Sequence, residues 1–187
     1  MPLSPDTFST DVYFCTSLGA IYRWDMALGQ LSLELDTGLA LTDIAFAPSG
    51  TLYGITGTDL YRFGLDGKTT RHVGGLDGDL GFYSVTQANG FDISQSGEAI
   101  ISNGNLAYIA DVDLSSGAVT ARSTPLGQGS QSAGDILWDS ASYWVATTTY
   151  TVKKIVKGSF SEWATDSIFG GKYDGLVAAP STIPGLT

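Results

Sequence analysis

Apolar and polar residues alternate along much of the chain in short segments that Gly, Asp and Ser separate. Leu31, Leu33 and Leu35 alternate with Ser32 and Glu34, and this two-residue period predicts a strand with one buried face. No segment longer than about ten residues has the 3.6-residue apolar period of a helix. The pattern therefore predicts an all-β protein with few, short helices.

The strands recur as repeats. Residues 21–24 (Ile-Tyr-Arg-Trp) and 60–63 (Leu-Tyr-Arg-Phe) match in chemistry at a separation of 39 residues, and each precedes a turn containing Gly. A second series of apolar segments ends in turns at spacings of 47, 44 and 41 residues. The turn positions are Gly50, Gly97, Ala141 and Thr182. Their mean spacing of 44 residues is typical of one four-stranded propeller blade.

These repeats predict a single four-bladed β-propeller domain over residues 1–187. Three blades are expected at about 40–73, 88–124 and 133–165. The fourth is a composite of strands from 11–36 and a C-terminal strand at 174–182, whose pairing closes the ring and leaves no exposed strand edge. Two alternatives stay open: two chains forming an eight-bladed ring, and a fragment of a longer protein.

Residues 44–55 follow the pattern apolar-x-Phe-x-Pro-x-Gly-Thr-Leu-Tyr-Gly-Ile, and Asp-Leu-Tyr-Arg-Phe follows at 59–63. This pattern resembles bacterial β-propeller repeats related to the NHL and gluconolactonase-like superfamilies. The resemblance implies a propeller fold. It leaves the function open, because binding proteins, lactonases and structural proteins share such repeats.

Gluconolactonase-like enzymes hold a divalent cation at one end of the central channel with one Glu plus Asn and Asp residues, and the resemblance implies a comparable location. The residues expected there, at the start of the innermost strands, are Asp43, Asn89, Asp135 and Asp174. No glutamate belongs to a predicted inner strand, because the only ones are Glu34, Glu98 and Glu162. A structural Ca²⁺ ion is therefore one hypothesis for the channel, whereas catalysis there is disfavoured and no other cofactor is expected.

Other polar and aromatic residues suggest weaker sites. Asp77 and Asp79 lie in a Gly-rich segment and offer oxygen ligands for calcium, although the segment matches no known calcium loop. Trp163, on a predicted outermost strand, is a candidate for an exposed binding contact. Trp24 matches Phe63 in the repeat and is predicted to be core.

The chain contains one histidine and one cysteine. His72 has no second His or Cys nearby, so a zinc site is excluded and a surface position is expected. No internal disulfide can form, and Cys15, in the apolar run 12–15, is predicted to be a buried, inert thiol.

Charge and composition narrow the partners. Nine Lys plus Arg against nineteen Asp plus Glu give a net charge of −10, which disfavours nucleic acid and anionic lipid. No apolar run is long enough for a membrane span, and no classical signal peptide is seen. Neither a Gly-x-Ser-x-Gly nucleophile motif nor a nucleotide-binding loop occurs.

The expected function is therefore a non-enzymatic recognition or assembly module that contacts other proteins or a cell-surface glycan. Its Gly, Ser and Thr content and low lysine content favour a structural or adhesion component of a phage virion, at the tail or capsid, or an extracellular surface. One alternative is a metal-dependent lactonase-like hydrolase with its site in the channel. Another is a cytoplasmic protein-interaction scaffold.

Overall fold

The computed structural model describes residues 11–76, 87–103 and 109–122, together with the strands within 132–166. In this part of the chain all regular structure is β-strand, as predicted. Sheet I contains β1 (Val12–Cys15), β2 (Ala20–Asp25) and β3 (Gln30–Asp36). Sheet II contains β4 (Asp43–Phe46), β5 (Leu52–Ile55), β6 (Asp59–Gly64) and β7 (Thr69–Gly75).

Sheets III and IV repeat the four-stranded pattern of sheet II. Sheet III contains β8 (Ala88–Ile93), β9 (Ala99–Asn103), β10 (Ile109–Val112) and β11 (Val119–Arg122). Sheet IV contains β12 (Ser132–Trp138), β13 (Ser142–Thr147), β14 (Val152–Val156) and β15 (Glu162–Asp166). Each sheet is an antiparallel meander, because every strand pairs with its neighbour in sequence. Within the described residues no helix is long and apolar enough to cross a membrane.

Sheets I, II and III pack face to face in chain order, with an apolar core in each of these two interfaces, and β12 of sheet IV lies beside β8 and β9 of sheet III. Between sheets I and II the core contains Ile21, Leu35, Leu41, Leu52 and Phe63. Between sheets II and III it includes Ile55, Leu60, Phe91, Ile101 and Val112. The first strands β4, β8 and β12 are successive neighbours. This sheet-on-sheet arrangement is propeller-like.

Equivalent turns confirm the repeat that the sequence predicted between residues 42–50 and 89–97. The Gly50 amide donates to the Ala47 carbonyl at 2.8 Å, and the Gly97 amide donates to the Ser94 carbonyl at 2.9 Å. Both glycines have positive φ, 78° and 83° respectively. The two turns join the first and second strands of sheets II and III, so their 47-residue spacing separates equivalent positions.

Residues 174–182, the predicted closing strand, lie outside the described residues. Sheet I nevertheless has the three strands that the composite blade predicted, with β1 at one edge. The pairing that would close the ring stays a prediction.

Candidate functional site

The first strands of sheets II and III are joined by side chains at the start of β4. The Asp43 carboxylate accepts a hydrogen bond from the Ile44 amide through Oδ1 at 2.8 Å, and one from the Phe91 amide through Oδ2 at 2.7 Å. The Thr42 hydroxyl donates to the Ala88 carbonyl at 3.0 Å. Both oxygens of Asp43 therefore bind backbone amides, and its carboxylate acts as a brace between two sheets.

The other residues proposed for the channel are only partly placed. Asn89 is half-buried on β8, next to β4, and Asp135 belongs to β12, next to β8. The Asp135 side chain and all of Asp174 lie outside the described part. In that part no three His, Cys, Asp or Glu side chains converge to hold a metal ion. A calcium ion in the channel stays a hypothesis.

Two further predictions also concern residues that are not described. Asp77 and Asp79 are outside the described ranges. Trp163 belongs to β15, but its side chain is outside the described part. Their proposed binding roles stay predictions.

His72 is exposed on β7, the last strand of sheet II, as predicted. Its Nε2 lies 2.9 Å from Oδ1 of Asp59, and its ring centroid lies 5.2 Å from that of Tyr61. Hydrogen bonds from the Thr58 hydroxyl and from His72 hold the pKa of Asp59 below its usual value. At the surface, His72 therefore contacts both the carboxylate of Asp59 and the ring of Tyr61.

Sheet I carries an exposed apolar surface, which we call its open face. Cross-strand pairing places two rows of side chains on this face. The rows are Val12, Trp24 and Leu31, and Phe14, Tyr22 and Leu33. Val12 is 50% exposed, Leu31 52% and Leu33 50%. Clusters of exposed apolar side chains are typical of surfaces that contact another molecule.

The prediction that Trp24 belongs to the core is wrong. Trp24 is 39% exposed, whereas its repeat counterpart Phe63 is 3% exposed. Phe63 is buried because its face of sheet II packs on sheet I. In the described part of the chain, no sheet precedes sheet I to cover Trp24 in the same way. Trp24 and Phe63 do occupy equivalent positions in the repeat, but the burial of each side chain depends on whether another sheet packs on its face.

Strand register shows what the open face is equivalent to. Tyr13 pairs with Arg23 in sheet I as Tyr53 pairs with Arg62 in sheet II, so the two sheets align residue by residue. The row of Val12, Trp24 and Leu31 corresponds to Leu52, Phe63 and Thr70. Leu52 and Phe63 pack against the preceding sheet. The open face is therefore the face with which a sheet contacts its predecessor.

The opposite face of sheet I holds a neutralised arginine. Arg23 Nε lies 3.1 Å from Glu34 Oε1, and Arg23 Nη1 lies 3.1 Å from Asp11 Oδ2. The Ser32 hydroxyl also donates to Glu34 Oε1 at 2.7 Å. Tyr13, beside this network, has a raised pKa because burial disfavours its phenolate.

The equivalent position in sheet II is different. Arg62 corresponds to Arg23, but it pairs across the strands with Arg71, and both side chains are exposed. Two clefts share these arginines. One, of about 360 Å³, is also lined by Tyr53, Val73, Leu114 and Ser115. The other, of about 560 Å³, extends toward Tyr13 and Phe46.

Sequence reasoning missed both the open face and the arginine pair. The signal for the arginines was present in the repeat. When residues 21–34 are aligned with 60–73, Arg71 takes the position of Ser32, and Val73 takes the position of Glu34. The open face had no such signal, because its residue types are those of a core.

Comparisons with known proteins support the fold. No family model matches the chain, and no curated protein sequence matches it. Among solved structures it is similar to a chain of the nidogen/laminin complex, with 16% identity, a TM-score of 0.63 and 83% of this chain covered. The match spans 58% of that chain. At this identity the likeness shows a propeller-like fold alone.

Proposed function

We propose that this protein is a non-enzymatic assembly and recognition module, and that the open face of sheet I is its assembly surface. The observation that carries the proposal is the exposure of Val12 and Trp24 at positions whose counterparts in sheet II, Leu52 and Phe63, are interface core. Leaving a row of this kind in water is unfavourable, at roughly 25 cal/mol per Å² of apolar area. A partner that covers this face would recover that free energy.

The repeat register defines the chemistry of the partner. In sheet II, the face equivalent to the open face packs against sheet I. The open face therefore fits a propeller-type sheet that presents the same kind of face as sheet I presents to sheet II. Sheet IV is the last described sheet of the series. A second copy of the chain supplies such a sheet, and two copies joined in this way have the subunit arrangement of an eight-sheet ring.

Closure of a four-sheet ring within one chain, with residues 174–182 beside β1, is the competing arrangement. The exposure of Val12 and Trp24 favours the second copy, because closure within the chain would cover these side chains as sheet I covers Leu52 and Phe63. The match to 58% of a longer chain is also compatible with four sheets forming an arc. We place such assemblies in a larger particle or on an extracellular surface, a phage virion being the leading example.

Sedimentation velocity on the wild-type chain and on the double variant Leu31→Glu/Leu33→Glu tests the surface. We expect the wild type to associate and the variant to be monomeric, with an unchanged far-ultraviolet circular dichroism spectrum. Thr69→Glu/Thr70→Glu, which adds the same charge to exposed residues of β7, is the matched control and should associate as the wild type does. Equal association of wild type and the Leu31/Leu33 variant would overturn the proposal.

A further inference from the structure

In the part of the chain that the structure describes, Arg62 and Arg71 of sheet II lack the carboxylate partners that neutralise Arg23 in sheet I. Arg62 and Arg71 are directly opposite each other in the register of β6 and β7. None of the ion pairs among the described residues includes either one. Like charges at directly opposite positions destabilise a sheet. The pair therefore costs stability unless an anion binds to it.

Two sequence differences between equivalent positions create this charge. Where sheet I has Ser32 opposite its arginine, sheet II has Arg71, and where sheet I has Glu34, sheet II has Val73. Both Glu34 and Val73 are the residues skipped at a β-bulge in the same place. The first difference adds a positive charge, and the second removes the carboxylate that would neutralise it.

The location suits a small ligand. Arg62 and Arg71 line the 360 Å³ cleft between sheet II and the turn that joins β10 to β11, which contributes Leu114 and Ser115. Tyr53 and Val73 supply apolar walls. In a chain with a net charge of −10, a long polyanion is repelled, whereas a compact anion that reaches this cleft meets two guanidinium groups.

We propose that Arg62 and Arg71 form a binding site for a doubly charged oxyanion, the phosphate monoester group of a small, otherwise uncharged molecule. Two charges on the ligand balance the two arginines, and guanidinium forks donate paired hydrogen bonds to such oxygens. The apolar walls contact the body that carries the ester. The site is on sheet II, away from the open face, so it does not depend on the assembly proposed above.

Binding of 4-nitrophenyl sulfate, 4-nitrophenyl phosphate and inorganic sulfate, followed by amide chemical shifts and by calorimetry, tests the site. We expect saturable binding that weakens as NaCl is raised, with the amides of Val73, Leu114 and Ser115 among those that shift. 4-Nitrophenyl phosphate, a dianion above its second pKa of about 6, should bind more tightly than 4-nitrophenyl sulfate, a monoanion of similar shape. Acetate, a planar monoanion, should bind more weakly than inorganic sulfate.

The variants are designed from the comparison with sheet I. Arg62→Gln and Arg71→Gln should each lower the affinity by about tenfold, the usual effect of losing a charge-assisted hydrogen bond. Arg23→Gln is the matched control, since Arg23 is already paired with Asp11 and Glu34, and it should leave binding unchanged.

A second design rebuilds the sheet I arrangement in sheet II. Arg71→Ser/Val73→Glu should abolish sulfate binding, and an unchanged far-ultraviolet circular dichroism spectrum would show that the variant folds. Wild-type binding that is absent at high millimolar sulfate, or an affinity that is unchanged by the loss of either arginine, would overturn the proposal.

Discussion

The carboxylate of Asp43 accepts a hydrogen bond of 2.7 Å from the backbone amide of Phe91, and this contact joins the first strand of sheet II to the first strand of sheet III. The residue that the sequence suggested as a metal ligand is thus a structural brace in the described fold. A calcium role would require the same carboxylate to share its oxygens with an ion.

The first prediction concerns this brace. Asp43→Ala should lower the free energy of unfolding by about 1–3 kcal/mol, because it leaves the Phe91 amide without its acceptor. Urea denaturation with and without calcium measures the effect. Asp66→Ala, which removes the same charge from an exposed turn, should change stability by less than about 0.5 kcal/mol. Equal effects of the two substitutions would rule out the brace, and a calcium-dependent gain in the wild type alone would support the metal hypothesis.

The turn between β6 and β7 offers a stabilising change. An Asp-Gly pair such as Asp66-Gly67 is typical of hairpin turns, and a hairpin forms here, but the left-handed conformation belongs to Lys68, with φ of 48°. Lys68→Gly should stabilise the protein by about 0.5–1 kcal/mol, because glycine adopts this conformation without steric cost. The equivalent turn of sheet I has Gly29 with φ of 63° and open space around it, so Gly29→Ala should have the opposite sign. Thermal denaturation compares them, and a destabilising Lys68→Gly would contradict the turn geometry.

A close backbone approach should make Gly74 intolerant of substitution. A Cβ atom on Gly74 would overlap the Ser116 carbonyl group in the turn between β10 and β11. Gly74→Ala should therefore cost about 1–3 kcal/mol or more, since the outer ends of sheets II and III must separate. In Gly67→Ala the new Cβ would meet only the Thr69 methyl group at 3.6 Å, so this control should be nearly neutral. Equal stability of the two variants in urea denaturation would show that these sheet ends are apart.

The thiol of Cys15 should be unreactive at neutral pH. Cys15 is half-buried rather than fully buried, and burial, reinforced by the charge of Asp43, raises its pKa to about 11. Because the folded pKa lies above the value of about 9 expected in the unfolded chain, this group's contribution to stability declines as pH rises from 9 toward 11. Iodoacetamide labelling at pH 8 should be slow in the native protein and fast in urea. Denaturation of Cys15→Ala should show a weaker loss of stability above pH 9, and an identical profile in both proteins would contradict the raised pKa.

The strand pattern was largely readable from sequence, because alternation and turn residues are local properties. Residues 59–63 form a strand that is bounded by turns. Leu60 is buried in the core between sheets II and III, and Phe63 in the core between sheets I and II. Burial of a particular face was less readable, as Trp24 shows, because it depends on which sheet lies next to it. The arginine pair required strand register, since Arg62 and Arg71 are nine residues apart in sequence and become neighbours only across the hairpin.

The number of chains per particle tests the central claim most directly. Native mass spectrometry of the untagged wild-type chain, over a range of protein concentrations, measures the number of chains per particle and needs no variant. We expect a principal species of two chains, each of 19.6 kDa, that dissociates on dilution. A single chain at every concentration would mean that the open face of sheet I is covered from within the chain or needs no cover, and would contradict the assembly proposed here.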